Sequence, residues 1–213
     1  MKQKNTEIFQ FKVTLKGIRP PIWRRIQVLG SCTFWDLHVA IQDAMGWFDC
    51  HLHEFSVFSP SAKRVERIGI PSDLAPAIAP ILPGWELRID RYFSAGNPRA
   101  DYYYDFGDDW RHSVALEKVL RREPSVSYPR CVAGRRACPP ESCGGTWGYE
   151  ELVRKLADPS HPEHGELLEW LDRPFDPNRF DPNDVVFENP RQRWLAAVAT
   201  LAPDPDPGSG RAN

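Results

Sequence analysis

The chain has 213 residues, 41 % of them hydrophobic and 26 % charged, with 27 Lys and Arg against 29 Asp and Glu. That mixture excludes wholesale disorder and is enough for a sizeable core, while the net charge of −2 gives no global reason for a polyanionic partner. Its 21 prolines and 8 tryptophans are the unusual counts, and so many prolines argue against long helices or a large regular sheet.

The first strand is expected in FQFKVTL, where Phe9, Phe11, Val13 and Leu15 alternate with polar residues. Gly17 and Pro20-Pro21 break it, and Ile22, Arg24, Ile26 and Val28 continue as a second strand of a hairpin. A helix follows in SCTFWDLHVAIQDAMGW, capped by Ser31 or Thr33, helped by Asp36 in the first turn and closed by Gly46. Phe34, Leu37, Ile41, Ala44 and Met45 give it one apolar stripe. HLHEFSVF reads as a third strand, so the chain opens as a β-grasp-like α+β layer.

Residues 59–83 should form an irregular connection with a short strand near Arg67 to Ile70, and Trp85 to Ile89 another strand. YYYDFGDDWRHSVALEKVL predicts a hairpin turning at Gly107 to Asp109. The stretch YPRCVAGRRACPPESCGGTWGY is expected to be an ordered loop throughout, given its prolines and glycines. Helices are expected over Tyr149 to Ala157 and His164 to Leu171, turns at Asp176-Pro177 and Asp181-Pro182, and a last helix over Arg191 to Leu201. Residues 1–190 then form one α+β domain with a mixed sheet, long loops and C-terminal helices, and residues 191–213 a short helix and a disordered tail.

No stretch reaches the roughly 18 to 20 apolar residues of a membrane span, and MKQKNTEIFQ lacks the apolar centre of a secretory signal, so a cytoplasmic location is expected. The odd count of 5 cysteines then points to thiols or metal ligands rather than disulfides. Cys131, Cys138 and Cys143 can supply three zinc ligands, with His112, or else His51 or His53, as a fourth; the alternative is three buried thiols packing as small hydrophobes. His51 and His53 share one face of a strand, where they can bind metal, act as acid and base, or form a wet surface. Asp105, Asp108 and Asp109 gather around Gly107, either to hold a hard cation or to build a turn. The letters DFG lack the phosphate loop and HRD segment of a kinase. Residues 1–30 carry Lys2, Lys4, Lys12, Lys16, Arg19, Arg24 and Arg25 against Glu7, whereas 150–190 are acidic: two solvated or mutually attracting faces, or a basic groove for nucleic acid.

Four strings together, IRPPIWRRIQV, FWDLHVAIQDAMGWFDCHLHEF, YDFGDDWRHSVALEKVL and YPRCVAGRRACPPESCGGTWGYEEL, closely resemble the plasmid pRiA4b ORF-three-like family from about Ile8 to about Phe187. The resemblance implies a compact α+β fold and a mobile-element setting, and brings no established activity or catalytic residues. Where the family loop usually reads PPEDCGG, this chain has Ser142. A transposon-resolvase label on some members would need a resolvase catalytic domain and a helix-turn-helix, and neither pattern is present. The leading expectation is a non-enzymatic cytoplasmic module that binds protein or nucleic acid through Trp23, Arg24, Arg25, Trp47, Tyr102, Tyr103, Tyr104 and Trp110. The alternative is a zinc-dependent hydrolase assembled from His51, His53, His112 and the Asp105–Asp109 turn.

Overall fold

Alternation over the first 29 residues produces the expected hairpin in the computed structural model, which describes residues 7–71, 80–171 and 174–201. Strands β1 (Glu7–Leu15) and β2 (Ile22–Leu29) pair antiparallel, so that Phe9, Phe11, Val13 and Leu15 face the core beside Val28, Ile26, Arg24 and Ile22. Helix α1 (Phe34–Met45) lies across that side of the hairpin. Thr33 Oγ1 accepts from the Asp36 amide and the Asp36 carboxylate accepts from the Thr33 amide, a reciprocal cap that fixes where the helix starts. Gly46 ends it at φ 85°.

Strands β3 (His53–Ser59), β4 (Arg64–Gly69), β5 (Ile81–Pro83), β6 (Arg99–Tyr104), β7 (Trp110–Arg121) and β8 (Arg130–Arg135) complete one eight-stranded sheet of order β5-β4-β3-β6-β7-β1-β2-β8. Every neighbouring pair is antiparallel except β4 and β5. Helices α2 (Gly145–Leu156), α3 (His164–Trp170) and α4 (Pro190–Leu201) follow the sheet. α4 returns to α1: Trp194 packs edge-on against Trp35 at 5.1 Å, and Arg193 pairs with Asp43 at 2.7 Å. The α+β class read from the sequence is the one observed. The expected tail at 202–213 lies outside the described residues.

Three local expectations are corrected. The prolines do not prevent a large sheet, because among the described residues they lie outside the strands except at Pro83, in a three-residue edge strand where a missing N–H is tolerated. Residues 84–88 are not a strand: the Leu87 and Gly84 carbonyls accept from the Phe34 and Trp35 amides at 3.0 and 3.1 Å, so the segment straps the N-terminus of α1 and satisfies amides the helix itself cannot. The cysteine stretch is not loop throughout. Its first part is β8, paired with β2 across a bulge between Arg25 and Ile26, and Gly134 is the residue that allows the Phe180 ring to close over it.

The core is aromatic at its centre. Phe34 stands edge-to-face with Phe55 and Tyr92 at 5.2 and 5.1 Å, and Phe93 meets Phe11 at 4.8 Å. This ties α1, β1, β3 and the turn at Ile89–Arg91 into one packing unit.

Candidate functional site

Helix α1 carries more than its apolar stripe. Trp35, His38 and Gln42, spaced three and four apart, form a second stripe that is also buried, beneath β3, β6 and the 46–52 loop. Burying polar groups is costly unless they are bonded, and here they are bonded to one another. His38 Nε2 meets Asp49 Oδ1 at 2.8 Å, and His38 Nδ1 meets the Tyr102 hydroxyl at 2.9 Å. Gln42 Nε2 donates to the same hydroxyl at 2.8 Å. The His53 ring stacks on His38 with centroids 3.4 Å apart and planes 9° apart. Trp35 roofs the pair, 5.1 Å from His38 and 5.9 Å from His53. Two atoms of this cluster have no hydrogen-bond partner among the described residues: His53 Nδ1 and Gln42 Oε1.

Asp49 reaches His38 because its backbone is left-handed, at φ 62°. Burial pushes its carboxyl up to about 6 despite the opposing pull of His53 and Arg193. Burial also holds both imidazoles well below their usual range, with Arg193 adding to the effect at His38 and His38 at His53. The His38–Asp49 contact is therefore a hydrogen bond from a neutral ring rather than an ion pair. One ligand atom from each of His38, Asp49 and His53 lies within 4.8 Å of the other two, the sole such gathering of three or more His, Cys, Asp or Glu among the described residues.

The residues expected to form a hydrolase site do not converge. His51 lies outside β3 and does not share a strand face with His53; it points to Asp105, with Nε2 3.4 Å from Oδ2. His112 is fully buried between Tyr102 and Trp47, at 5.2 and 5.4 Å, and burial lowers it to about 3. Among the described residues neither of its ring nitrogens meets a partner at hydrogen-bond geometry, although the backbone of Tyr102 and Trp110 lies close enough to favour the charged form. The carboxylates at 105–109 are occupied in holding the turn. Asp105 Oδ1 accepts from the Gly107 and Asp108 amides, Asp108 Oδ2 accepts from the Gly144 amide, and Asp109 pairs with Arg111.

Nor do Cys131, Cys138, Cys143 and His112 form a gathered ligand set. The thiols pack against the core. Burial raises Cys131 and Cys138 and pushes Cys143 up to about 12, the behaviour of protonated thiols. The first turn of α2, just after them, is built on close approach: a Cβ on Gly148 would sit 1.9 Å from the Cys143 carbonyl oxygen, and one on Gly145 2.5 Å from that of Asp108. Gly148→Ala is expected to destabilise the protein by about 1–3 kcal/mol, the usual cost of overpacking, read as a lower urea midpoint at unchanged slope.

Of the expected binding residues, Arg24, Trp47, Tyr102, Tyr104 and Trp110 are buried and structural. Trp47 stacks on Tyr104 at 5.0 Å and donates from its indole to the Pro139 carbonyl at 2.9 Å. The Tyr104 hydroxyl donates to Glu141 and accepts from the Cys50 amide, and Glu141 also accepts from the Phe48 amide, so Glu141 pins the 47–50 loop. Trp23, Arg25 and Tyr103 instead lie on the sheet face opposite α1. There Lys12, Thr14, Trp23, Arg25, Tyr103 and Arg111 alternate with core residues and stay partly exposed. Direct pairing puts Arg67, Ser56, Asp101, Ser113, Thr14, Trp23 and Arg135 in one row across seven strands. Lys12 and Arg25 flank the Trp23 ring at 5.0 and 5.2 Å, and Arg111 lies 5.7 Å from the Tyr103 ring. Lys12, Arg25, Arg67, Arg99, Arg111, Arg130 and Arg135 share this face with the acids Glu54, Asp101 and Glu117. Arg25, Arg67, Arg111 and Arg130 are held in pairs by Glu117, Glu54, Asp109 and Glu123, respectively. None of the helices among the described residues is long and apolar enough to cross a membrane.

A mixed sheet covered by α1 on one side, with a buried histidine–aspartate cluster under that helix, defines an α+β protein. The chain belongs to the family described as plasmid pRiA4b ORF-3-like protein, whose pattern matches residues 7–184. It is 36 % identical over 165 residues to the uncharacterized protein y4hQ of Sinorhizobium fredii, covering 76 % of this chain and 80 % of that one. It is also similar to the crystal structure of a protein of unknown function, MM3350, from Methanosarcina mazei Go1, at 45 % identity and a TM-score of 0.79, covering 85 % of this chain and 99 % of that one.

Proposed function

We propose that this protein is a non-enzymatic cytoplasmic module, associated with mobile elements, whose open sheet face binds single-stranded nucleic acid. The observation that carries this reading is the cation excess on one side of the sheet in a chain whose overall charge is slightly negative. Charge segregated in this way makes a local positive field that the net charge hides. Half-buried aromatic rings among those cations offer stacking surfaces to unpaired bases, and guanidinium planes stack in the same way. The deep interior, by contrast, has no room prepared for a chain of bases, since Trp47, Tyr104 and Trp110 are filled core.

Titration of a fluorescent oligonucleotide tests it. Binding is expected to weaken linearly in log K against log salt, and Lys12→Glu with Arg99→Glu and Arg135→Glu to flatten that slope by about 1 for each phosphate no longer neutralised. A labelled duplex and an RNA strand of the same sequence rank the ligands. Absence of binding at low salt, or binding indifferent to salt, defeats the reading.

A further inference from the structure

We propose that His38, Asp49 and His53 form a binding site for a transition-type divalent cation, zinc being the natural occupant. Two imidazoles and one carboxylate are the donor set of open zinc sites, which use three protein ligands and leave a fourth position to water or a ligand. The three residues come from α1, the loop after it and the start of β3, so the fold, not sequence proximity, brings their donor atoms within 4.8 Å.

Three features of the pocket fit a cation. His53 Nδ1 is buried and unpartnered, which in a protein interior is a cost that a bound metal removes. His38 has a supporting partner behind it: with a cation on Nε2, the ring carries its proton on Nδ1 and donates it to the Tyr102 oxygen 2.9 Å away, the outer hydrogen bond that metal-bound histidines keep. Tyr102 then needs an acceptor for its own proton, and the unpartnered Gln42 Oε1 becomes that acceptor once the amide is turned over.

The stacked rings aim their edges in parallel, so capture requires one of them to turn. His53 is the freer of the two, because no hydrogen bond fixes its Nδ1. Binding exchanges tautomers: the one proton of the neutral His38 ring, held on Nε2 toward Asp49 Oδ1 before the cation arrives, is carried on Nδ1 afterwards, and the ring releases none.

The test uses the full chain stripped of metal, then refolded and dialysed against Zn2+ alone or Co2+ alone. One equivalent per chain is expected by elemental analysis, and the cobalt form should show a d–d spectrum without a thiolate charge-transfer band. Asp49→Asn and His53→Gln should abolish retention of the ion, and Tyr102→Phe should weaken it by about 10- to 100-fold. Cys138→Ser with Cys143→Ser should leave it intact. Circular dichroism checks that each variant folds, and should His53→Gln fail to fold, Asp49→Asn and the wild-type cobalt spectrum decide alone. A thiolate band, loss of the ion in the cysteine variant, or no retained ion in wild type overturns the proposal. Oligonucleotide binding is measured separately, because the site lies on the other side of the sheet and either proposal can fail without the other.

Discussion

Arg24→Ala is expected to destabilise the protein by about 3–5 kcal/mol, enough to unfold much of it at moderate urea. The guanidinium is buried, yet the desolvation that lowers its pKa is answered by three backbone carbonyls: Ala44, Trp23 and Arg135 accept from it at 2.8, 3.0 and 3.2 Å. It also lies 3.7 Å over the Phe180 ring. One side chain therefore joins the C-terminal turn of α1, where a cation suits the helix dipole, to the β8 edge and to the 174–186 segment. Removing it orphans those carbonyls and leaves a cavity. Arg24→Met keeps the stem's packing and should recover part of the loss in chemical denaturation. An alanine variant with an unchanged urea midpoint refutes this account.

Phe34→Ala is expected to cost a similar amount, about 3–5 kcal/mol. The ring is fully buried at the first position of α1 and sits between Phe55 and Tyr92. Its loss removes edge-to-face pairing as well as area, and it detaches the helix start from both β3 and the turn that follows the 84–88 strap. Phe34→Leu should be milder because it conserves most of the volume. Thermal melts of the two variants, compared with wild type, give the order directly.

The hairpin, α1 and the α+β class were legible because apolar residues at period two or near 3.6 announce which face is inside. The same signal hid the candidate metal cluster. His38 and Gln42 are polar, so an apolar count ignores them, although their spacing with Trp35 already described a second stripe. Asp49 had no signature, since its place depends on a left-handed backbone that only the finished loop imposes. The alternation in HLHEF puts His51 and His53 on one strand face, but the strand begins only at His53. β8 was concealed by composition: Gly134 and the prolines that follow read as loop, whereas the glycine is there to admit Phe180. The binding residues divided along the period-two rule. Trp23, Arg25 and Tyr103 fall on the open face, and Arg24, Tyr104 and Trp110 fall on the buried one.

The two ends of the sheet differ from its middle in a way that limits how the protein can meet others. β5 is three residues long and ends in Pro83, which has no N–H to offer. At the far side, Phe180 covers Gly134, and the Ala137 amide donates to Pro177 at 3.2 Å, so the 174–186 segment blocks continuation beyond β8. Among the described residues, both features work against extension of the ladder by strand addition, whether from an incoming polypeptide or from a second copy. Side chains are then the favoured means of contact, and on the open face they are cations and rings.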